Sequence, residues 1–512
     1  MGRLKRIIAG IAAIFSVIVC FAGTPVSALP DEIVPLWGPY LTGAGETCMT
    51  VNWRTEESQA GSVEYATGDF YNSQGSYSDS VSDMAAELHH VQLTGLSPDT
   101  TYHYRLEIDG QYTADYTFTT FGSESFTFIV YGDTREQAPM YTQLERHKLV
   151  ADRIAEEENV LFVLHTGDLV CDDSDLQEWG RFFESTRNMM SGVPLFPVLG
   201  NHESSSGTYS EAFNVPDWYS FDCSNAHFSM LDTNQGLQDQ TEWLDTDLAC
   251  DADWKFAVFH HPPYSSSHDH WGGWLDVRAA WEPVFMEKGV DAVFNAHVHV
   301  YERYLRNSIH YMVFGNGGAP FYLLDEEKIE GYRNSLENTL GYARITVNGN
   351  EAIMDVIKVA EISGDNQEVV QIYPPGTVFE TVDLGHEALT GSSSIEVITR
   401  LYIPGTGIML DRESIDYGSI SSGNTSSEET VGITNIGDVD VDVMLEILGE
   451  DTAQDFYEQS LVINSSPYSS SLVVASIPID QTEQVNTMLH VPSDWTIPGV
   501  QNATFIFWAE SQ

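Results

Sequence analysis

Residues 126–135, FTFIVYGDTR, form an apolar run of strand length that ends in glycine and aspartate. Four later runs between residues 160 and 294 end in the same manner, with Asp, Asn or His within three residues of the last apolar position. Runs without polar alternation are typical of strands buried on both faces, as in the sheet of an α/β domain. Ligands bind at the carboxyl ends of such strands, so we expect these polar residues to lie close together.

The segments that follow the five runs carry side chains that bind divalent metals. They are Gly132-Asp133-Thr134-Arg135, Thr166-Gly167-Asp168-Leu169, Gly200-Asn201-His202-Glu203, His260-His261-Pro262-Pro263-Tyr264 and Asn295-Ala296-His297-Val298-His299. First-row metal ions prefer oxygen and imidazole donors of this kind. One Gly-Asp pair is usually a turn and one His-x-His pair is usually incidental, but the same pattern after five strands predicts a metal centre.

Strands and helices alternate across residues 125–359, which predicts one α/β domain. The predicted strands are 126–131, 160–165, 194–199, 228–231, 254–259, 290–294 and 310–314. Apolar residues at the helical period predict helices at 141–158 and 276–288, the second ending at Gly289.

Short alternating strands flank this domain on both sides. Residues 34–120 contain the alternating segments 50–53, 62–65 and 101–106, which are typical of a β-sandwich of the fibronectin type III kind. Residues 363–512 contain 415–418, 430–435 and 439–443 and predict an immunoglobulin-like β domain. This domain could serve in spacing, in cell-surface or partner contact, or as a structural cap.

The chain is strongly acidic. Its 512 residues include 22 Lys and Arg against 76 Asp and Glu, a net charge of -54. Such a field repels polyanions, so a nucleic acid polymer or an anionic membrane surface is an unfavourable partner. The composition fits both a protein adapted to high salt and an ordinary acidic secreted protein.

Residues 1–28 have the pattern of an export signal. Arg3, Lys5 and Arg6 precede the uncharged apolar stretch 7–22, and Val26-Ser27-Ala28 offers small residues for cleavage. The pattern predicts a secreted or cell-surface protein without a transmembrane span beyond the signal.

Four cysteines follow this signal, namely Cys48, Cys171, Cys223 and Cys250. An oxidising exterior favours at least one disulfide bridge, and Cys223 and Cys250 are the closest pair in sequence.

The order of the five metal-binding segments resembles the calcineurin-like metallophosphoesterase superfamily, in particular its purple acid phosphatase branch, which commonly carries a sandwich ahead of the catalytic domain. The resemblance covers residues 34–359 and implies a four-layer αββα sandwich for 125–359. It also implies two metal ions per chain, divalent or trivalent, with Fe, Mn and Zn equally compatible with the donors.

The resemblance implies a role for each matching residue. Asp168 would bridge both ions, Asp133 and His299 would hold the first, and Asn201, His260 and His297 would hold the second. His202 would bind the phosphate or protonate the departing alkoxide. Substrate-binding histidines are expected downstream of His260, where His270 is the stronger candidate and His268 the weaker.

Three positions depart from the family pattern. Cys171 stands where the purple branch has its chromophoric Tyr, so we expect a protein that is not purple. Cys171 could be a thiolate ligand, half of a disulfide or a buried bystander. Arg135 stands where other branches have His, and it could hold a substrate phosphate or form a structural salt bridge. Ala296 stands where Gly is usual.

The function that the resemblance implies is an exported phosphomonoesterase that uses a metal-bound hydroxide for in-line attack on a small phosphate ester. A phosphodiesterase or nucleotidase of the same fold is one alternative. Another is a non-catalytic cell-surface binding protein with a degenerate metal site. The two flanking β domains motivate this alternative, and so does the first metal site, which lacks a ligand because Cys171 and Arg135 replace the family's Tyr and His.

Overall fold

The computed structural model describes residues 32–203 and 207–385 and, beyond them, the stretches 392–397, 408–410, 414–419, 424–435, 441–449, 456–457, 459–468, 473–478, 481–491 and 503–511. The predicted export signal lies outside the described residues. The chain divides into two compact units, one formed by residues 1–349 and 354–381 and the other by 350–353 and 382–512. Within the described part of the chain, no helix has the length and hydropathy needed to cross a membrane.

The N-terminal β domain is one hydrogen-bonded, six-stranded sheet. Its elements are β1 Trp37–Thr42, β2 Cys48–Thr67, α1 Gly68–Gln74, β3 Asp79–Thr94, β4 Thr101–Ile108, β5 Gln111–Tyr112 and β6 Tyr116–Thr119. The two segments predicted at 50–53 and 62–65 are the two halves of β2. β3 pairs along most of β2, whereas β1 pairs with its first half and β4 with its second.

The Gly- and Ser-containing stretch inside β2 is a bulged strand instead of the turn that its composition indicates. The register to β3 shifts between Arg54 and Gln59 and again between Gln59 and Gly61. A Cβ at Gly61 would lie 2.8 Å from the indole of Trp53, so only glycine lets the buried ring pack there.

The α/β domain contains two seven-stranded sheets. Its elements are β7 Ser125–Tyr131, α2 His147–Ala155, β8 Val160–His165, α3 Leu176–Met190, β9 Leu195–Pro197, α4 Thr208–Phe213, β10 Tyr219–Cys223, β11 Ala226–Met230, α5 Leu237–Asp247, β12 Trp254–Val258, α6 Leu275–Lys288, β13 Ala292–Asn295, β14 Tyr301–Arg306, β15 Ile309–Phe314, β16 Tyr332–Leu336, β17 Thr339–Asn348, β18 Glu351–Ile362, β19 Val369–Ile372 and β20 Val378–Asp383. One sheet has the order β19-β18-β17-β7-β8-β9 with β20 beside β18, and the other has the order β10-β11-β12-β13-β15-β14-β16.

The two sheets face each other through phenylalanines. Phe128 and Phe162 of the first sheet contact Phe228 of the second, each with ring centroids 5.3 Å apart. Side chains on the outer faces join two separate apolar clusters, one with α2 and α3 and the other with α5 and α6. The layers therefore follow the order helix, sheet, sheet, helix, as the resemblance implies.

All seven strands predicted for this domain are present, but the helices are only partly as predicted. α2 is shorter than the predicted helix 141–158, and α6 ends at Gly289 in the left-handed conformation as expected. The sequence reading missed α3, although Asp175 caps it by accepting from the backbone N–H groups of Gln177 and Glu178.

The N-terminal β domain packs firmly on α3 and its surroundings. The ring of Trp37 stacks on Phe183 with centroids 4.8 Å apart. Arg187 donates to the carbonyl of Gly38 at 2.7 Å, and the Tyr104 hydroxyl donates to the carbonyl of Ser191 at 2.7 Å. α3 is thus fixed on both sides, by the sheet of its own domain and by β1.

The second unit contains two five-stranded sheets in its described residues. Its strands are β21 Ser392–Val397, β22 Ile408–Leu410, β23 Ser414–Ser419, β24 Glu429–Asn435, β25 Val441–Gly449, β26 Leu461–Ile463, β27 Ser466–Pro467, β28 Val473–Ile477, β29 Thr482–Leu489 and β30 Ala503–Ser511. Val431 and Ile433 of β24 share an apolar core with Val441 and Val443 of β25, which lies in the other sheet. The immunoglobulin-like topology stays a prediction.

The expected disulfide is not formed. Cys48, Cys171, Cys223 and Cys250 are all free, so the expectation of at least one bridge among these four residues is wrong for this structure. Cys223 is buried on β10, whereas Cys250 follows α5 and is half-buried. Cys223 and Cys250 are therefore close in sequence but are not bonded to each other.

An ion network centred on the buried His227 holds the β10–β11 hairpin to α5. Nδ1 of His227 lies 2.7 Å from Asp222, and Nε2 lies 2.9 Å from Asp247, which also accepts from Ser220 and Ser229. Burial alone would lower the pKa of His227, but the two carboxylates raise it above its usual value of 6.5. Protonated His227 therefore stabilises the folded state.

We expect His227→Gln to lower the free energy of unfolding by about 1–2 kcal/mol at about pH 5.5, because a charged hydrogen-bonded group is lost. The contribution of a group whose pKa is raised by folding is complete below its unfolded pKa and disappears as the pH rises through the folded pKa. The difference between wild type and variant, measured by urea unfolding, should therefore shrink in alkaline solution. His490→Gln is the control, since the described side-chain contact of His490 is to Thr425; a pH-independent His227 effect would contradict the account.

Candidate metal centre

The residues predicted to bind metal all follow strands at one edge of the α/β domain. Asp133 follows β7, Asp168 follows β8 and Asn201 follows β9. His260 follows β12, and His297 and His299 lie between β13 and β14. Because β7, β8 and β9 are parallel, as are β12 and β13, the strands of each sheet deliver their polar residues together.

The side chains form two adjacent donor groups that share one carboxylate. One group is Asp168, His260 and His297, and the other is Asp133, Asp168 and His299. Within each group, the ligand atoms lie within 4.8 Å of one another. Oδ1 of Asn201 lies 3.2 Å from Nε2 of His260, which adds an amide oxygen to the first group. The structure therefore brings together all six residues predicted as metal ligands.

The carboxylate of Asp133 fits a cation. It is fully buried, and neither of its oxygens has a hydrogen-bond partner among the described residues. Its ion-pair contact is Nε2 of His299 at 3.6 Å. Burial raises the pKa of Asp133 to about 8. A buried carboxylate without hydrogen bonds is costly, and an ion between these donors would offset that cost.

Two of the imidazoles are oriented by backbone carbonyls. Nδ1 of His260 lies 2.9 Å from the carbonyl of Thr166, and Nδ1 of His299 lies 2.6 Å from the carbonyl of Pro320. These contacts place the proton on Nδ1 and leave Nε2 as the acceptor that a metal needs.

His297 directs Nδ1 toward the same point, 3.1 Å from Nε2 of His260. Burial lowers the pKa of His297, and the neighbouring His260 lowers it further. Burial would also lower the pKa of His260, but Asp168, whose Oδ1 lies 3.3 Å away, raises it to about 9.

The backbone is strained at three of the ligands. Asp133, Asp168 and His297 have φ values of 53°, 54° and 67°, in the left-handed region that such residues seldom adopt. The strain falls on His297 instead of on its neighbour Ala296, so alanine is accommodated where the family usually has glycine. Gly200 is more constrained, because a Cβ there would overlap Asp168.

Glu203 is a positioning residue to which the sequence reading gave no role. Its carboxylate accepts from the backbone N–H groups of Asp168, Val170 and Gly200, each at 3.0 Å. Burial and the nearby Asp168 raise its pKa to about 8. The carboxylate thus fixes two of the ligand loops, and the signal for it was its place directly after Asn201 and His202.

His202 and Arg135 flank the shared carboxylate. Nε2 of His202 lies 3.7 Å from Oδ2 of Asp168, and Nε of Arg135 lies 3.8 Å from the same oxygen. Nδ1 of His202 lies 2.6 Å from the carbonyl of Cys171, which orients the ring. Nε of Arg135 is buried without a hydrogen-bond partner among the described residues, although its charge faces Asp168 and Asp133.

Cys171 belongs to neither donor group. Its thiol is free and partly exposed, and burial of the rest raises its pKa, which disfavours the thiolate form. Of the three alternatives for Cys171, the structure supports the bystander, but Cys171 is exposed and not buried as expected, and its backbone carbonyl positions His202.

The two downstream histidines differ in placement. The ring of His270 lies 5.1 Å from that of His297, beside the donor groups. The side chain of His268 is 72% exposed, and its Nδ1 lies 3.0 Å from Asp325, so the structure does not bring it to the metal ligands.

Aromatic residues that the sequence reading overlooked surround the ligands. Tyr322 stacks on His299 with ring centroids 4.3 Å apart, and Trp274 meets His297 edge-on at 4.6 Å. Nothing in the local sequence marked either residue, because only the fold places them beside the histidines.

Comparison with known proteins agrees with this geometry. Residues 126–301 match the family "Calcineurin-like phosphoesterase", and residues 38–120 match "Purple acid Phosphatase, N-terminal domain". Purple acid phosphatase 18 of Arabidopsis thaliana is 29% identical over 54% of this chain and 67% of its own length. Purple acid phosphatase 21 of the same plant is 28% identical over 52% of this chain and 65% of its own length.

Two solved structures share the fold. Purple acid phosphatase PPD1 from yellow lupin (Lupinus luteus) seeds aligns with a TM-score of 0.56 and 18% identity, over 67% of this chain and 74% of its own. The structure of PhoD aligns with a TM-score of 0.51 and 13% identity, over 69% and 95%. The chain therefore contains a calcineurin-like phosphoesterase domain in residues 126–301 and, ahead of it, a purple acid phosphatase N-terminal domain in residues 38–120.

Proposed function

We propose that the chain is a dinuclear metal-dependent phosphohydrolase that acts on phosphomonoesters. The observation that carries this proposal is the pair of donor groups that share Asp168 at the carboxyl edge of the strands. When bound, two ions at these positions would lower the pKa of a shared water and polarise the phosphoryl oxygens. Fe, Mn and Zn all suit donors of this kind.

The ligand types suit this chemistry. Asp168 and Asp133 supply negative charge, which would reduce the repulsion between two neighbouring cations. Asp133 can do so because neither of its carboxylate oxygens has a hydrogen-bond partner among the described residues. Neutral Asn201 and the imidazoles complete the donor groups without cancelling the charge of the ions. The proposed reaction is attack of water on phosphorus in line with the departing alkoxide, without a covalent phospho-enzyme.

Arg135 and His202 are the proposed substrate-binding groups. Both direct a nitrogen toward Oδ2 of Asp168, so a phosphate at the donor groups would meet the two side chains. We assign Arg135 to the phosphate oxygens, and His202 to those oxygens or to the proton of the leaving alkoxide. His270 contributes from the side of His297, whereas His268 would first have to leave Asp325.

The domain and export assignments complete the proposal. Residues 34–120 and 125–359 form the N-terminal β domain and the catalytic domain, and residues 363–512 form an immunoglobulin-like domain for cell-surface or partner contact. Residues 1–28 direct export, so the protein acts outside the cytoplasm on a small phosphate ester. The net charge of -54 argues against a nucleic acid substrate.

Loss of a donor should abolish hydrolysis. We expect His297→Ala and Asn201→Ala each to lower kcat/KM for p-nitrophenyl phosphate by at least about 100-fold, since even indirect partners of a metal ligand contribute about 10–100-fold. The variants should also hold less metal by elemental analysis.

His490→Ala is the matched control, because this exposed histidine lies in the second unit. Wild-type rates of p-nitrophenyl phosphate hydrolysis in both His297→Ala and Asn201→Ala would contradict the assignment of these residues as metal ligands. Hydrolysis of bis(p-nitrophenyl) phosphate without hydrolysis of p-nitrophenyl phosphate would keep the site assignment and make the chain a phosphodiesterase. One ion or none, with no chelator-sensitive hydrolysis, would favour the binding-protein alternative.

Arg135→Lys should weaken inhibition by inorganic phosphate by about tenfold, because lysine keeps the charge but loses the bidentate fork. The metal content should stay at the wild-type level. Arg153→Lys is the control, since Arg153 pairs with Glu156 and donates to the carbonyl of Tyr373, and neither partner belongs to the donor groups. Unchanged phosphate affinity in Arg135→Lys would make Arg135 a structural partner of Asp168.

The iron-loaded protein should show no phenolate charge-transfer band in its visible spectrum, because Cys171 replaces the chromophoric tyrosine. Tyr322 stacks on His299, but burial raises its pKa and keeps it a neutral phenol. Cys171→Tyr should introduce the band. A band in the wild-type spectrum would contradict this expectation and assign Tyr322 as a ligand.

A further inference from the structure

A cleft of about 510 Å³ opens beside the donor groups on the loop between β12 and α6. It is lined by Asp269, His270, Trp271, Gly273, Trp274, Leu275 and Asp276. Its size is that of a site for a small organic ligand.

Aromatic rings connect this cleft to the metal ligands. Trp274 lies 4.6 Å from the ring of His297 and 5.0 Å from that of His270. His270 in turn contacts Tyr322, which stacks on His299. An arc of rings therefore runs from one donor group to the other and borders the cleft.

The cleft presents large apolar groups to solvent. Trp271 is 44% exposed and Leu275 is 64% exposed. Exposed aromatic surface beside a reactive centre is typical of a ligand-binding wall.

The loop that carries the two tryptophans is held rigidly. Arg278 donates to the carbonyls of Pro263 and Gly272, and the backbone N–H of Trp274 donates to the carbonyl of Pro262 at 2.9 Å. Gly273 has a φ of 74°, and a Cβ there would lie 2.5 Å from the carbonyl oxygen of Pro263. A wall fixed in this way loses little entropy when it binds a ligand.

The charges of the cleft select against anions. Its lining includes the carboxylates of Asp269 and Asp276 but no Lys or Arg. The positive charge of Arg135 does not line the cleft, because its Nε lies 3.8 Å from Oδ2 of Asp168.

We propose that this cleft binds the alcohol part of the ester and selects aromatic alcohols that are neutral or positively charged. This inference rests on the proposed function, because it assumes that the phosphoryl group lies at the donor groups. With Arg135 and His202 beside Asp168, the alcohol extends past His297 toward Trp274 and Trp271. Water supplies the new oxygen on phosphorus, the ester P–O bond breaks, and the alcohol leaves with a proton.

The experiment compares phenethyl phosphate with cyclohexylethyl phosphate on the metal-loaded enzyme. The two alcohols are alike in size and acidity, so a difference in kcat/KM reports the aromatic ring. We expect phenethyl phosphate to be favoured by up to about tenfold, the scale of an aromatic contact. Trp271→Ala should bring the ratio toward one, whereas Phe70→Ala, which removes an exposed ring from the N-terminal domain, should keep the wild-type ratio.

Charge selection is measured with the phosphate esters of tyramine and of hydroxyphenylpropionic acid. The cationic tyramine ester should be favoured, and Asp276→Asn should reduce that preference. Asp239→Asn is the control, since Asp239 occupies the first turn of α5 as Asp276 occupies that of α6.

Binding of the phosphonate analogues, in which a methylene replaces the ester oxygen, separates this inference from the proposed function. Preferential binding of the aromatic phosphonate that depends on Trp271, without turnover of any ester, would support the cleft and overturn the function. Turnover with equal rates for phenethyl and cyclohexylethyl phosphate, unaffected by Trp271→Ala, would overturn the cleft and keep the function. Neither binding nor turnover would overturn both.

Discussion

The buried carboxylate of Asp168 is the constraint on which the rest of the site depends. Removing a charge from water is costly unless hydrogen bonds and opposite charges surround it. Here the backbone N–H of His202 donates to Oδ1 at 3.1 Å, and His260 lies 3.3 Å from the same oxygen. Glu203 holds the backbone of Asp168, and Gly200 leaves room for its side chain. A single shared carboxylate therefore requires several loops to meet in one arrangement.

The surrounding layers make that arrangement rigid. The sheets pack through phenylalanines inside the strands, such as Phe128 of β7 and Phe162 of β8, so the loops that follow these strands start from fixed positions. β1 packs Trp37 against Phe183 of α3, and Glu178 of the same helix accepts from the backbone N–H of Cys171 at 2.6 Å. The N-terminal β domain is thereby connected through α3 to the loop that positions His202. We infer that this domain contributes to the order of the site as well as to stability.

Much of the fold could be predicted because its strands are unbroken apolar runs. All seven strands predicted for the α/β domain are present, and so are the six predicted ligands at one edge. The sequence analysis predicted two separate strands, 50–53 and 62–65, where the structure has the single strand β2. The stretch between them has the composition of a turn, and its pairing with β3 depends on residues distant in sequence. The expectation of at least one disulfide was wrong because it rested on an oxidising exterior and an even number of cysteines, which say nothing about the distance between two thiols in the fold.

The sequence by itself determined the kinds of donor and their order along the chain, because each follows its own strand. It also determined the absence of tyrosine at position 171 and the acidic charge. The family resemblance of the sequence also implied that Asp168 is shared, in agreement with the two donor groups. Only the tertiary structure decided that carbonyls of Thr166 and Pro320 orient two imidazoles and that an aromatic cleft borders the ligands. These features depend on distances between side chains of different loops, and such distances exist only once the two sheets have packed.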